Sequence, residues 1–301
     1  MATDKQTYYR NLRENVTIYG NLTYNETPVT DGLIGLEVRD PLNRPLTARV
    51  RNTGTTPPTT PYVWIISIVP CDVDGNPKES FPRGTAAYFQ IKVINYDQHD
   101  RPVRVTLNVY DQNNIPLGRT EDVFKEMAPQ EIMTFTAPFP IPDDATIGIA
   151  TLYANVFTDW PSSYGWPYDE ESSADFLITE GCCPLATSLP KTQLQALTSN
   201  VTGSCNVTFQ LPRKTPTGNY TIYATSRYMG QEAFSNATFT VLLEGDFDGD
   251  GDIDISDIRY FCRAFIKYSE TGECDPRCDF DDDGDIDIND IRYFSKAYRN
   301  Q

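Results

Sequence analysis

Along most of the chain, apolar and polar positions alternate with a period of two. Runs such as "NVTIYGNLTY", "GLIGLEVRD", "TARVRN", "YVWIISIV", "AAYFQIKVINY", "VRVTLNVYD", "EIMTFTAP", "IGIATLYANVF", "SADFLIT", "CNVTFQL", "NYTIYATSRY" and "NATFTVLL" are rich in Val, Ile, Tyr and Thr. Each is bounded by Gly, Pro, Asn or Asp, and segments such as "RDPLNRP", "YDQNNIPLG" and "KTPTGNY" carry turn chemistry of their own. This spacing predicts strands with one face toward a core and the other toward water. Without intervening helical periodicity, the expected class is mainly β, built from antiparallel sandwiches.

The strand count predicts how the sandwiches divide. Residues 1–60 supply about three strands and residues 184–243 about four, each short of the roughly seven that a sandwich of the immunoglobulin-like kind requires. Joined, they are expected to form one discontinuous domain, with an N-terminal arm at 1–13. Residues 61–183 supply about seven more and are expected to be a second sandwich inserted into the first. Three or four small consecutive β domains are the alternative. Seven N-x-Ser/Thr sequons, at Asn15, Asn21, Asn25, Asn200, Asn206, Asn219 and Asn236, all fall in the flanking segments. Cys71 follows the entering strand, and Cys182 and Cys183 follow the leaving one. Cys71 could therefore pair with one of these two, with Cys205 taking the other.

The last fifth of the chain departs from this pattern. "DFDGDGDIDISD" at 246–257 returns 33 residues later as "DFDDDGDIDIND" at 279–290. A calcium loop of the EF-hand kind takes oxygens from positions 1, 3 and 5, a backbone carbonyl from 7, a water-bridged group from 9 and a carboxylate from 12, with Gly at 6 for the turn. Asp246, Asp248, Asp250, Gly251, Asp252, Asp254 and Asp257 fill those places, and Asp279, Asp281, Asp283, Gly284, Asp285, Asp287 and Asp290 fill them again. Two Ca²⁺ ions are therefore expected, because a shared cation reconciles carboxylates that otherwise repel. Mg²⁺ suits such a loop less well, since it prefers octahedral sites and keeps its waters. Ile253 and Ile286, at position 8, are placed to join the two loops. The repeat continues as "IRYFCRAF" and "IRYFSKAY". There Ile258, Phe261 and Phe265, and likewise Ile291, Phe294 and Tyr298, share one helical face. A disordered acidic tail would need no such stripe.

Charge and composition narrow the partners. The net charge is −17, of which residues 244–301 contribute −10 through 17 Asp and Glu against 7 Lys and Arg. With no clustered cations to hold phosphates, nucleic acid is not an expected partner. Seven cysteines together with seven sequons point to an extracellular or cell-surface location. The opening residues lack the apolar run of a signal peptide, so the numbering is read as that of a mature or trimmed form. No run of about 18 apolar residues predicts a membrane span.

The duplicated loop-plus-helix, residues 244–301, closely resembles the dockerin module. Asp257 and Asp290 at position 12 follow that family's habit, as does the lack of a helix before each loop. The resemblance implies calcium-dependent folding and a protein–protein face whose usual partner is a cohesin-like protein. It places partner-reading residues at loop positions 10 and 11, here Ile255, Ser256, Ile288 and Asn289, and on the following helix. The Ile residues depart from the Ser/Thr pairs common in cellulosomal members. Cys262, Cys274 and Cys278 are a local addition, two of them expected to staple the inter-loop segment to the first helix. "VTIYGNLTYNETPVTDGLIGLEVRDPLNRPLTARV" resembles the first strands of macroglobulin-type or immunoglobulin-like domains. "GNYTIYATSRYMGQEAFSNATFTV" is similar to their last two strands, with Tyr220 at the place of a tyrosine corner. The central "FPRGTAAYFQIKVINYDQHDRPVRVTLNVYD" is similar to adhesion-type modules of archaeal and bacterial cell surfaces.

Other constellations carry less. "TDWPSSYGWPYDEES" gathers Trp160, Tyr164, Trp166 and Tyr168, which either stack on a glycan or partner surface or cap the sandwich core. "CDVDGNP" reads as a turn before it reads as a second metal site. One histidine, and no nucleophile elbow, zinc motif or phosphate loop, leaves catalysis with little support. The expected function is non-enzymatic: a structural subunit that associates with copies of itself into a surface filament or layer, with the arm, through Tyr8 and Tyr9, able to clasp a neighbour. The alternative is an adhesion or carbohydrate-binding protein anchored to a separate cohesin-type scaffold.

Overall fold

The computed structural model describes residues 1–10, 14–54, 61–120, 122–180, 203–212, 215–280 and 283–300. The fold is mainly β, with two β-sandwiches followed by a small unit of two helices. Alternation turns into burial most plainly in Ala86–Asn95, where Ala87, Phe89, Ile91 and Val93 are fully buried and Lys92 faces water. This strand runs antiparallel between Ile132–Pro140 and Val63–Cys71. A second sheet is ordered Pro116–Arg119, Arg101–Tyr110, Gly148–Phe157, Ser172–Thr179 and Ser80–Pro82, with Val123–Met127 also paired to Arg101–Tyr110. Phe89 and Phe176 meet edge to face between the sheets at 5.2 Å, where Val103, Leu107, Leu152 and Val156 complete the core. Pro116–Arg119 adds a short strand within a segment that reads as a turn.

The other sandwich draws its strands from both ends of the chain. Ala2–Thr3, Asn15–Asn21 and Ser204–Gln210 form one sheet, and Thr7–Tyr9, Gln231–Leu242, Gly218–Tyr228, Leu33–Arg39 and Pro45–Asn52 form the other. Their shared core includes Val16, Ile18, Leu36, Phe209, Ile222 and Phe239. The Tyr220 hydroxyl donates to Pro216 O at 2.7 Å, the bond expected of a tyrosine corner. The arm does not reach outward. Its strands pair with the chain's own sheets, and Tyr8 is fully buried against Phe239, ring to ring at 5.3 Å. An aromatic plug of that size is more stable in its own core than exposed on a free arm, which corrects the expectation of a clasp.

The two sandwiches meet around the sheet edge Pro45–Asn52. Asn108 lies across this edge as another strand would: its Oδ1 accepts from Ala48 N–H at 3.1 Å, and its Nδ2 donates to Ala48 O at 2.8 Å. Asn155 Nδ2 donates to the same carbonyl at 3.1 Å. On one side, Leu33, Ala48 and Val50 pack on Phe157 and Trp160. On the other, Arg49 binds Glu171 through two hydrogen bonds of 2.6 and 2.8 Å and lies over the Tyr153 ring at 3.6 Å. Arg51 also binds Glu171. Burial raises the Glu171 carboxyl, but the two guanidiniums outweigh it and hold the group below the ordinary carboxylate range. Gly35 permits this contact, since a β-carbon there would sit 2.6 Å from the Phe157 ring.

Six sequon asparagines, Asn15, Asn21, Asn25, Asn206, Asn219 and Asn236, are exposed; Asn200 lies outside the described residues, as do Cys182 and Cys183. Among the described residues Cys71, Cys205, Cys262, Cys274 and Cys278 are all free thiols. The expected staple within the C-terminal unit is therefore not formed. Cys278 is fully buried in that unit's core, whereas Cys262 is on the exposed side of its helix. No helix among the described residues is long and apolar enough to cross a membrane.

Glu171→Gln is expected to destabilise the protein by roughly 3–5 kcal/mol, because it leaves the buried Arg49 without its counter-charge. Urea unfolding of the full chain measures this, and adding Arg49→Met to the same chain should recover most of the loss.

Candidate metal centre

The two acidic stretches fold into matching loops that lead directly into helices α1 (Ile255–Thr271) and α2 (Ile288–Asn300). In the first loop, Asp246 accepts from the backbone N–H of Gly249 at 2.6 Å and of Gly251 at 2.9 Å. Asp257 accepts from Phe247 N–H at 2.6 Å and Asp254 N–H at 2.8 Å, so one carboxylate draws the loop closed and completes the capping box of α1. The second loop repeats the two bonds to its position-12 carboxylate and the bond from its position-6 glycine. Asp290 accepts from Phe280 at 2.6 Å and Asp287 at 2.7 Å, and Asp279 accepts from Asp283 at 3.2 Å and Gly284 at 2.9 Å. Gly251 and Gly284 adopt φ of 98° and 91°, the turn that position 6 demands.

The repeat also builds the core beneath the loops. Phe261 and Phe294, equivalent residues of the two helices, stack at 4.9 Å with rings 4° from parallel. Phe247 and Phe280, the equivalent residues of the loops, pack around them together with the buried Ile253 and Ile286. Leu243 joins the same cluster and ties it to the strand Gln231–Leu242.

Carboxylates crowd this frame. One oxygen from each of Asp246, Asp248 and Asp250 lies within 4.8 Å of the others, and the same holds for Asp252, Asp254 and Asp257 and for Asp285, Asp287 and Asp290. Asp281 lies outside the described residues, and Asp283, at position 5 of the second loop, is exposed. Asp250 raises the Asp252 carboxyl above its ordinary range; burial, reinforced by neighbouring aspartates, does the same for Asp248 and Asp285. Asp285 Oδ1 is covered from solvent and has no hydrogen-bond partner among the described residues. An all-oxygen set with such an orphaned acceptor suits a hard metal ion.

Ile255 and Ile288 open the two helices and are 54% and 55% exposed, with Ser256 and Asn289 beside them. Between α1 and α2 runs a groove of ≈ 850 Å³ whose walls include Ile258, Phe261 and Phe265 from one repeat and Ile291, Phe294 and Tyr298 from the other. The helical stripe reads as core in sequence, yet only Phe261 and Phe294 are buried. Its extra width, with Ile266 beyond Phe265, was the signal of an open face.

The aromatic loop plays a different part. Trp160 is 9% exposed and sits between the sandwiches, with the guanidiniums of Arg39, Arg104 and Arg119 5.2–5.7 Å from its ring. Trp166 is half-buried against Tyr168, under Arg227. Neither offers the open ring face that glycan stacking requires, which corrects their assignment as partner-binding residues. Of the loop's four aromatics, only Tyr164 projects, at 68% exposure. "CDVDGNP" is a turn, in which Asp72 accepts from the backbone N–H of Asp74 at 3.0 Å and Asn76 at 2.9 Å.

No family model matches the chain, and no curated protein matches it. Among solved structures, the C-terminal domain of wzt is similar over 44% of this chain and 86% of that chain, at 14% identity and a TM-score of 0.35. A CARDB domain from Pyrococcus furiosus, in complex with di-metal ions, is similar over 40% of this chain and 94% of that chain, at 12% identity and a TM-score of 0.29. A β-glucosidase from Listeria innocua, in complex with glucose, is similar over 39% of this chain and 16% of that chain, at 8% identity and a TM-score of 0.29. Likenesses at this level carry no argument about ligand or activity.

In the aromatic loop, burial pushes the Asp169 carboxyl up to about 6, against a hydrogen bond from the Glu170 backbone that lowers it. A raised folded-state value contributes stability at low pH and loses it as pH rises through about 6. The chain should therefore lose on the order of 1 kcal/mol from this group between pH 5 and 7.5, after allowance for solvent screening. Asp169→Asn should remove that part of the pH dependence, as measured by urea midpoints across the range.

Proposed function

We propose that the C-terminal unit is a dockerin-like module that binds two Ca²⁺ ions and, once ordered by them, associates with another protein. The chain as a whole is then an extracellular structural protein without catalytic activity, most simply a subunit that assembles with copies of itself into a surface filament or layer. One observation carries the reading: an apolar groove to which both repeats contribute lies open between α1 and α2, and each helix also starts with an exposed isoleucine, Ile255 or Ile288. A soluble surface does not keep such a face without a use for it.

The metal supports the association in a specific way. Each loop holds carboxylates whose mutual repulsion opposes the fold, and a divalent ion reverses the sign of that interaction. The helices begin at the last loop positions, so ordering the loops also sets the angle between α1 and α2. The width of the groove then depends on both ions. Contact between the module of one subunit and a different face of the next is heterologous, and such contacts propagate into open assemblies when the rotation does not close. The six exposed sequon asparagines favour an exported, glycan-carrying subunit. With Trp160 buried and the Trp166 ring covered by Arg227, the carbohydrate-binding alternative loses its main support.

Isothermal titration of the full chain should give two Ca²⁺ ions bound, and Asp257→Asn with Asp290→Asn should abolish binding. Light scattering should show mass growing with Ca²⁺, and growth should fail in Asp246→Ala/Asp279→Ala. Ile255→Asp/Ile288→Asp should still bind Ca²⁺ but remain a monomer. A wild-type chain that binds two ions and stays monomeric would redirect the search to a separate cohesin-like partner.

A further inference from the structure

The two metal loops, nearly identical in sequence, have different surroundings. Arg10, in the N-terminal arm, donates from Nη1 to Thr215 O at 2.7 Å and from Nη2 to Gly251 O at 3.2 Å. Its backbone N–H donates to Leu242 O at 3.1 Å and so extends the pairing of Thr7–Tyr9 with Gln231–Leu242. One side chain therefore joins the arm, the sandwich and position 6 of the first loop. Gly251 also faces the flanking sandwich, since a β-carbon there would lie 3.8 Å from Thr217 Oγ1. At Gly284, the equivalent residue of the second loop, a β-carbon would meet open space.

The contact falls at a sensitive point. The peptide between Gly251 and Asp252 has its carbonyl on Arg10 and its N–H on Asp250 Oδ1, at 3.2 Å. In the second loop the matching N–H, of Asp285, is likewise held by Asp283 Oδ1 at 3.1 Å. The next carbonyl along, that of Asp252, is the position-7 oxygen of a calcium loop. Fixing one peptide plane limits where the following carbonyl can point, so a donor on Gly251 O preorganises a ligand it does not touch.

We propose that Arg10 is a positioning residue for the first metal loop, coupling calcium binding there to docking of the N-terminal arm, while the second loop binds independently of the arm. This rests on the calcium reading of the loops given above. Coupling of this kind is reciprocal: calcium in the first loop stabilises the docked arm by the factor with which the docked arm favours calcium. The guanidinium charge itself repels a nearby cation, so geometry and charge act in opposite directions and can be told apart by substitution.

The test uses the full chain with one site silenced at a time, through Asp279→Ala to leave the first loop or Asp246→Ala to leave the second. In each background Arg10 is changed to Met, which keeps the stem and removes the donors, or to Lys, which keeps the charge and restores one donor. Ca²⁺ affinity by titration is expected to fall about tenfold for the first loop with Arg10→Met, to recover in part with Arg10→Lys, and to stay unchanged for the second loop. In the chain that otherwise carries no substitution, hydrogen exchange at Thr7–Arg10 should slow on adding Ca²⁺, and Arg10→Met should erase that response. Equal losses at both loops would show general destabilisation and overturn the proposal, as would unchanged or tighter binding at the first loop. Failure of the wild-type chain to bind Ca²⁺ would instead overturn the metal reading itself, and this proposal with it.

Discussion

The edge strand Pro45–Asn52 sets the terms for the larger part of the molecule. A free edge presents unpaired N–H and C=O groups, which cost stability when buried and invite foreign strands when exposed. Here the side-chain amide of Asn108 supplies both a donor and an acceptor to Ala48, and Asn155 adds a second donor. That solution requires the inserted sandwich to lie against the edge, and the burial of Arg49, Thr47 and Glu37 follows from it. Each of these polar groups is then matched: Arg49 to Glu171, Thr47 to the Tyr110 hydroxyl, and Glu37 to Arg39 and the Ser162 N–H. The contact is rigid for the same reason that it is polar, since sliding would leave several buried groups without partners at once.

This contact also explains what alternation can and cannot reveal. In Ala86–Asn95 the outward positions meet water, and the pattern reads correctly as a one-sided strand. In Arg101–Tyr110 the outward Thr106, Asn108 and Tyr110 are polar or amphipathic, which also reads as a solvent face, yet all three are buried by the other sandwich. Hydrogen-bonding residues suit either environment, and nothing in a strand's own sequence says which one it has. Trp160 was ambiguous in a similar way, because an aromatic in a loop can project or plug, and three arginines distant in sequence decided for the plug. Tyr8 lay in a segment too short for periodicity to speak.

The acidic loops were legible because their information is local. Spacing alone placed Gly251 and Gly284 at positive φ and set Asp257 and Asp290 at the points where each loop closes on its helix. The repeat also put Phe261 and Phe294 on the apolar face of each helix, and in the structure the two rings stack on one another. What the repeat concealed was inequality. Arg10 breaks the equivalence of the loops from more than two hundred residues away, and no motif within 246–290 carries a trace of it.

A domain inserted between two strands of another is commonly pictured as a removable cassette. Gly35 shows why this one is not. Any side chain at that position collides with Phe157 and Pro167 of the insert, so a residue of the host is constrained by atoms belonging to its guest. The converse holds for Asn108, whose amide has a purpose only while Ala48 lies opposite. Neither half can drift, be exchanged or be grafted elsewhere without the other following. For protein engineering, the two sandwiches are therefore one unit of some 240 residues, although the topology draws them as two.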